Sequence, residues 1–401
     1  MNRSFAGVDI VLRGAGGGRT AKGFGEVGSR VPHASGPEAP WVDRARAFAE
    51  EELRPRAAEI DRADAIPDGL VERLARSGLL GLSIPKEFGG AGANSATMAG
   101  VLEQIARGNA GVAVLLAVHL SVCAAPIAQW GDEAQKHRCL PPLADGRWIG
   151  GFALTEPEFG SDAKGLTTRF TRTEGGFAIT GSKTFITNGG RADLLLLFAT
   201  RDPALGSKGI SAFLLPKGTP GFSVTSRFAK LGLHGSETTE LALQDVRLPL
   251  NAQLGPEGQG LHVALSALTG GRIGIAACAL GVAQAAFEEL RRTASVESSD
   301  LARAQVARSY TELAAARSLL EEAARRRDAG EPVEEQASAA KLFCSQVAVR
   351  IASAAVDRAG PAGGAADAPA QRLLRDARVF PIVEGTTEIQ ELILGRALIG
   401  R

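Results

Sequence analysis

The sequence has little of what disulfide-linked, zinc-binding or nucleic-acid-binding proteins depend on. Its 401 residues include four cysteines, which lie far apart and form no C-x-x-C pair, so neither a disulfide scaffold nor a structural zinc site is expected. Lys and Arg number 45 and Asp and Glu 44, a net charge of +1. This balance excludes a global basic field for nucleic acid or an anionic membrane. We therefore expect a cytoplasmic, globular protein of two or three domains.

Several catalytic signatures are also missing. No G-x-x-x-x-G-K-[ST] phosphate loop, G-x-S-x-G nucleophile elbow or H-E-x-x-H zinc motif occurs in the sequence. The segment Gly14–Arg19 approaches a dinucleotide fingerprint, but Arg stands where the third glycine belongs. The five histidines have no metal-ligand spacing, so no metal is expected. Nucleotidase, hydrolase and Rossmann-type functions are thereby excluded.

Two segments raise the question of targeting or membrane insertion. Residues 1–39 are rich in glycine and lack apolar periodicity, which predicts a disordered leader, with an organelle transit peptide as the alternative. The stretch between Arg107 and Asp132 has no Asp, Glu, Lys or Arg and exceeds the ~20 residues that cross a bilayer. It nevertheless contains Asn109 and His119, and no second span follows. A helix buried inside an all-α domain explains it better, so no membrane partner is expected.

The texture of the sequence changes twice along the chain. Residues 40–150 show helical periodicity, residues 151–260 contain short β-branched and aromatic runs separated by turns, and residues 261–401 are helical again. Residues 166–180 are typical of a hairpin, and further strands are predicted at Leu194–Ala199, Ile210–Leu215, Phe222–Ser226 and Thr239–Leu243. Because no long helix interrupts these strands, an antiparallel sheet is predicted.

The C-terminal third contains long helical patterns. Ile273–Phe287 is nearly all apolar, as expected for a helix buried on several sides. The next two stripes are predicted at Val306, Tyr310, Leu313 and Leu320, and at Phe343, Val347 and Ile351. Long helices with short connections indicate a four-helix bundle. The expected fold is mainly α with a central β domain.

Three short segments are the best candidates for chemistry. They are Phe152–Asp162 (FALTEPEFGSD), Gly181–Gly189 (GSKTFITNG), and Arg375–Arg378 followed by Ile382–Gln390 (IVEGTTEIQ). Each segment alone has an ordinary explanation as turn, cap or helix-start residues. Their order and separation are more informative than any one of them.

Together with the helical, β, helical layout, these segments closely resemble the acyl-CoA dehydrogenase family of flavoproteins. The resemblance extends from about Trp41 to Arg401 and includes Lys230–Ser236, Gly271–Ala277 and Leu394–Arg396. It implies an N-terminal helical domain, a middle antiparallel β-barrel-like domain and a C-terminal four-helix bundle. In that family, FAD lies between the middle domain and the bundle.

The resemblance also implies roles for individual residues. Glu384 takes the position of the base that removes the α-proton of an acyl thioester while the β-hydride passes to flavin N5, which leaves a trans-2-enoyl thioester. Position 271 supplies the base in some branches of the family but is glycine here. The implied cofactor contacts are Phe152, Leu154, Thr155, Gly160, Ser161, Phe185, Ile186, Thr187, Thr386 and Glu388. The implied substrate contacts are Ser161, Arg272 and Gly385.

Two of these roles carry further expectations. The hydroxyl of Thr187 is expected near flavin N5, and exclusion of water is expected to raise the pKa of Glu384 to ~6–7. For Arg272, a helix-start cap or a salt bridge is the alternative to a role at the active site.

Two segments depart from the family pattern. Arg291–Ser298 lacks the Phe-Gly of the family motif R-x-x-F-G, and Asp357 replaces a Gln before Gly360–Gly363. Both belong to the part of the FAD site that a neighbouring subunit supplies, so weaker or reorganised FAD binding is expected, in a homodimer or homotetramer.

The substrate, the acceptor and the reaction type stay open in part. Either CoA or an acyl-carrier protein can carry the acyl group, and the electron acceptor is an electron-transfer flavoprotein or another acceptor. The alternatives to a dehydrogenase are a flavin-dependent oxidase or monooxygenase of the same fold, and a non-catalytic paralogue that has lost FAD.

Overall fold

The computed structural model describes residues 39–297 and 299–400. The leader predicted over residues 1–39 therefore lies outside the described residues, apart from Ala39. The N-terminal region is helical, with α1 Ala39–Phe48, α2 Ala57–Ala63, α3 Asp68–Arg76, α4 Ser95–Gly108, α5 Ala110–Ala117, α6 Ala125–Trp130 and α7 Glu133–Ala144. Asn109 separates α4 from α5 because its side chain accepts from the N–H of Val112 and caps the second helix.

The apolar run after Arg107 is buried in the protein. It forms the continuous helical stretch Ala110–Trp130, whose central part is π-helical, and 94% of its most apolar window is buried. The predicted buried helix is therefore confirmed. The expectation that no second span follows is wrong by length and composition, because Gly260–Val296 and Glu334–Gly364 are also long and apolar enough to span a membrane; 78% and 50% of their windows are buried.

His119, in the π-helical part of this stretch, connects it to the first strand. Its Nδ1 accepts from the N–H of Gly150 at 3.0 Å, and its Nε2 lies 3.1 Å from the carbonyl of Leu80. Burial lowers the pKa of His119 to about 4, so the ring is neutral and Nε2–H donates to Leu80. This buried contact ties Gly150, the first residue of the first strand, to the helical region.

The middle region is a single eight-stranded sheet with the order β6-β7-β3-β2-β4-β5-β8 and with β1 paired to β4. The strands are β1 Gly150–Ala153, β2 Arg169–Thr173, β3 Gly176–Thr187, β4 Leu194–Thr200, β5 Ile210–Pro216, β6 Phe222–Arg227, β7 Thr238–Pro249 and β8 Gln253–Leu254. The predicted hairpin and the four further strands are confirmed.

The predicted antiparallel sheet is confirmed for five strand pairs, but two pairings with β4 are parallel. Strand β1 runs parallel to β4, from Gly150 opposite Leu194 to Ala153 opposite Leu197, and β2 meets β4 in parallel at Arg169 and Thr200. The long connection through β2 and β3 makes this possible, because parallel neighbours need a crossover rather than a tight turn. The described strands form an open sheet, so "barrel-like" describes it only loosely.

The C-terminal region consists of α8 Gly260–Glu297, α9 Asp300–Asp328, α10 Glu334–Ala359, α11 Pro369–Ala377 and α12 Thr387–Ile399. Helix α8 is central and packs against α4, α9 and α10. Leu313 and Leu320 are buried as predicted, but Tyr310 is 59% exposed and does not belong to the core stripe. The helix that carries Tyr310 faces solvent on that side, so its core stripe is narrower than the sequence pattern indicates.

A single apolar cluster joins the two helical regions. It includes side chains of α1, α4, α5, α8, α9 and α10, and both Phe152 of β1 and Val383 of the loop before α12 pack against it. The first and third sequence motifs therefore border the same core.

Candidate active site

The loop between α11 and α12 places the carboxylate of Glu384 against α8. A Cβ atom added to Gly271 would lie 2.4 Å from Oε2 and 3.1 Å from Oε1 of Glu384. Real Cβ atoms do not approach so closely, so only glycine at position 271 lets the carboxylate occupy this place.

The environment of Glu384 favours a carboxyl group that can exchange a proton near neutral pH. The residue as a whole is half-buried, but its Oε2 is shielded from solvent and has no hydrogen-bond partner in the described part of the chain. Burial raises the pKa of Glu384 to about 7, opposed by the positive charges of Arg272 and Lys341. This value lies in the range expected for a general base.

Arg272 brings an incompletely paired cation to the same place. The residue is 5% exposed, and its Nε and Nη1 have no hydrogen-bond partner among the residues described. Its nearest carboxylate, on the exposed Glu334, is 3.9 Å away. Arg272 lies inside α8 and well after its start at Gly260, so the helix-start alternative is wrong. Buried donors are nearly always satisfied, so these two groups are available to a bound molecule.

The backbone at Glu384 is held in an uncommon conformation. Glu384 has φ 55° and Gly385 has φ 94°, both in the left-handed region. Thr386 follows as the N-cap of α12, and its hydroxyl accepts from the N–H of Ile389. Such strain persists only where surrounding contacts hold it.

Two buried side chains that the sequence analysis did not single out hold this loop. Lys341 of α10 donates to the carbonyls of Gly385 (2.6 Å) and Pro381 (3.3 Å). Gln390 of α12 donates to the carbonyls of Gly385 (3.0 Å) and Glu384 (3.4 Å). The available signal for Lys341 was its place three residues before Cys344 and seven before Ala348, which puts a lysine on a buried apolar face of α10.

The first two motifs are joined by a buried ion pair. Nζ of Lys183 lies 2.8 Å from Oε1 of Glu156, and both side chains are almost fully buried. Lys183 also donates to the carbonyl of Leu154, and the N–H of Thr184 donates to the carbonyl of Thr155. The two segments therefore form one structural unit, which sequence spacing alone did not reveal.

Further donors complete the surroundings of Glu156. The N–H groups of Thr167 and Thr168 and the hydroxyl of Thr167 donate to its carboxylate at 2.6 to 2.9 Å. Although burial disfavours its charge, these donors and the ammonium of Lys183 lower the pKa of Glu156 to about 2. Glu156 is thus ionised at neutral pH and has a structural role.

The residues predicted to face the cofactor present a mixed polar and aromatic surface. Phe185 is 63% exposed at φ 56°, and its ring stacks on Phe228 with centroids 4.7 Å apart. Thr155 and Thr187 are half-buried, and neither hydroxyl makes a hydrogen bond within residues 39–297 and 299–400. These groups are available to a ligand.

The other predicted cofactor contacts differ in exposure. Leu154 and Ile186 are buried, at 6% and 2%, whereas Gly160, Ser161 and Glu388 are exposed. No hydrogen bond or ion pair joins the loops of the first two motifs to the Glu384 loop in the described chain; Phe152 of the first motif and Val383 of the third both pack against the shared apolar core.

The third motif is tied to the segment Lys230–Ser236. Arg375 makes two bonds to the carboxylate of Asp61, at 2.6 and 3.0 Å, and donates to the carbonyl of Leu231. The carboxylate of Asp376 accepts from the N–H of Leu233 at 2.6 Å. These contacts hold the two segments together in the fold.

The segments that depart from the family pattern lie at the ends of long helices. Arg291 is near the end of α8, with its guanidinium 6.0 Å from the ring of Phe287, and Ser298 is outside the described residues. Asp357 is exposed in the last turns of α10.

Comparison with known proteins agrees with this architecture. Models for the N-terminal, middle and C-terminal domains of acyl-CoA dehydrogenase match residues 38–147, 151–246 and 258–399. An acyl-CoA dehydrogenase of Bacillus subtilis (strain 168) is 43% identical over 88% of this chain and 96% of its own length.

Two solved structures show the same likeness. Butyryl-CoA dehydrogenase from Megasphaera elsdenii has a TM-score of 0.88 and 37% identity and covers 90% of this chain and 98% of its own. A chain from a structure of the electron transferring flavoprotein of Acidaminococcus fermentans has a TM-score of 0.89 and 36% identity. It covers 91% of this chain and 98% of its own. The chain therefore belongs to the acyl-CoA dehydrogenase family.

Proposed function

We propose that this protein catalyses the FAD-dependent α,β-dehydrogenation of an acyl-CoA to the trans-2-enoyl-CoA, with Glu384 as the base that removes the α-proton. Family membership supports the reaction and its FAD cofactor. The similarity to butyryl-CoA dehydrogenase favours a short acyl chain carried by CoA rather than by an acyl-carrier protein.

The carboxylate of Glu384 is the observation that carries this proposal. Its Oε2 has no partner in the described protein, and burial brings the pKa of Glu384 to about 7. An α-proton of a thioester is far too weakly acidic for a solvated carboxylate, so a base for this reaction must be shielded from water.

The residues present fit FAD. The unpaired hydroxyls of Thr155 and Thr187 and the exposed ring of Phe185 suit a flat, polar-edged ring system. The N-terminus of α12, at Thr386, presents the positive end of a helix dipole to a phosphate-bearing molecule. These residues would hold FAD, and the bound flavin would supply the acceptor for the β-hydride.

The chain's own groups then account for the proton. Glu384 takes the α-proton as the ionised carboxylate. The positive charge of Arg272 stabilises that negative charge in the buried site. The N–H groups of Glu384 and Gly385 have no acceptor among the residues described. We infer that the N–H of Glu384 binds the thioester carbonyl and stabilises the developing enolate.

Four further proposals concern the domain boundaries, the electron acceptor, the oligomeric state and the location of the protein. The domains are proposed to span residues 40–150, 151–260 and 261–401, after a leader over residues 1–39. The likeness to the chain described with an electron transferring flavoprotein supports an acceptor of that kind. A homodimer or homotetramer and a cytoplasmic location stay predictions.

Bleaching of bound flavin tests the function. The purified holoenzyme is mixed anaerobically with butyryl-CoA, and the loss of visible flavin absorbance is followed. The wild type should bleach, and Glu384→Gln should bleach about 10²–10⁴-fold more slowly with flavin still bound. Flavin that never bleaches with acyl-CoA of any chain length contradicts the dehydrogenase. If peroxide forms at a rate that rivals the reduction of an artificial acceptor, the protein is an oxidase. If the protein takes up no FAD, it is a non-catalytic paralogue.

A further inference from the structure

A lysine without a carboxylate partner lies beneath the loop that carries Glu384. Lys341 is 0% exposed, and no carboxylate of the described chain lies within ion-pair distance of its Nζ. Burial lowers the pKa of Lys341 to about 8, opposed by the negative charge of Glu384. Buried lysines are rare unless their charge is compensated. The two hydrogen bonds that its Nζ makes in the described chain, to the carbonyls of Gly385 and Pro381 at 2.6 and 3.3 Å, are both with this loop.

The carbonyl of Gly385 receives a second buried donor from α12. Nε2 of Gln390 lies 3.0 Å from this oxygen and 3.4 Å from the carbonyl of Glu384. A Cβ on Gly385 would lie 2.4 Å from the same Nε2, so the fit is close. A left-handed conformation is strained for a residue other than glycine, and Glu384 adopts one. Among the described residues, Lys341 and Gln390 are the side chains that donate to the carbonyls of Glu384 and Gly385.

We propose that Lys341 is a positioning residue for Glu384 that acts in two ways: it holds the loop carbonyl next to the base, and its charge favours the ionised carboxylate. Gln390 shares the first action but, being neutral, not the second. This inference rests on the proposed role of Glu384 as the base. Lys341 lies outside the three sequence motifs, which assigned it no function.

The other ionisable groups around Glu384 make the electrostatic effect testable. From α8, Arg272 faces the carboxylate as a second cation, and the buried thiol of Cys278 lies within electrostatic range. From α12, the exposed Glu388 acts on Lys341 rather than on Glu384. Removal of the Lys341 charge leaves Arg272 as the cation facing the base in the described chain, so the pKa of Glu384 should rise.

The test compares three variants of the holoenzyme by their rate of flavin bleaching with butyryl-CoA as a function of pH. Lys341→Met removes both actions, and we expect a lower plateau rate together with a midpoint at higher pH. A rise of one unit would lower the ionised fraction of Glu384 at pH 7 from about a half to about a tenth. Gln390→Leu should lower the plateau and leave the midpoint in place. Lys341→Arg should restore the midpoint.

A second measurement does not depend on turnover. The carboxyl band of Glu384 is titrated by infrared difference spectroscopy, with Glu384→Gln as the reference that lacks the band. The titration midpoint should rise in Lys341→Met and stay unchanged in Gln390→Leu. If Lys341→Met does not fold, Lys341→Gln, which keeps a donor without the charge, should give the same rise.

Clear outcomes overturn the proposal. A midpoint that is the same in Lys341→Met or Lys341→Gln as in the wild type contradicts the electrostatic action. A midpoint that moves equally in Gln390→Leu means that loop disorder, not charge, is responsible. If Glu384→Gln bleaches as fast as the wild type, the proposed function fails instead, and the infrared titration still decides the effect of Lys341 on Glu384.

Discussion

The contact between Gly271 and Glu384 predicts that one methyl group is enough to separate folding from activity. In Gly271→Ala the new Cβ would lie 2.4 Å from Oε2 and 2.9 Å from Cδ of Glu384. An ordinary contact distance of about 3.4 Å or more requires the carboxylate to move by about 1 Å. The obstructing atoms are the end of a flexible side chain, so the carboxylate can move while the backbone of α8 stays in place.

The two consequences have opposite signs. Alanine stabilises a helix interior by about 1 kcal/mol relative to glycine, so the melting temperature of Gly271→Ala should be unchanged or slightly higher. A displacement of about 1 Å at a reacting group costs on the order of 10²-fold in rate. We therefore expect flavin bleaching by an acyl-CoA to slow by about that factor, with flavin content unchanged.

A matched control comes from the same type of position. Gly395 lies inside α12, and a Cβ there would meet nothing within 4 Å. Gly395→Ala should therefore keep full activity. Bleaching by Gly271→Ala within about threefold of the wild type would refute the reasoning, because the carboxylate would then not need its observed position. A large drop in melting temperature would refute it as well.

Two other predictions concern charge. Because burial raises the pKa of Glu384 to about 7 and the base is active when ionised, the bleaching rate should increase as pH rises through about 7 and then level off; a flat profile from pH 5 to 9 would contradict this. Removal of one partner of the buried Glu156–Lys183 pair leaves an uncompensated charge, so Lys183→Met should lower the free energy of unfolding by about 3–5 kcal/mol. Lys183→Met combined with Glu156→Gln should recover part of the loss in chemical denaturation, whereas additive losses would show that the pair is not coupled.

Local sequence signals predicted most of the secondary structure. The hairpin at residues 166–180 and the four later strands were predicted from β-branched runs between turn residues. Such signals are local, because they depend only on residues that are close together in the sequence. The buried helix at Ala110–Trp130 follows from an uninterrupted apolar run. The parallel pairing of β1 with β4 does not, because a four-residue strand carries no signal about which distant strand it will meet. The exposure of Tyr310 could not be predicted from the helical periodicity of α9. The periodicity shows which residues are apolar, but it does not show how wide the buried face of the helix is.

The sequence by itself determined the family resemblance, the candidate base Glu384 and the glycine at position 271, because these depend on residue identity and on the order of motifs. Only the tertiary structure decided how the base is held. Lys341 is 44 residues from Gly385 in the chain, and Glu156 is 27 residues from Lys183. A charged side chain has the same letter whether it is solvated or buried, and only burial and the partner it meets there decide its pKa and its role.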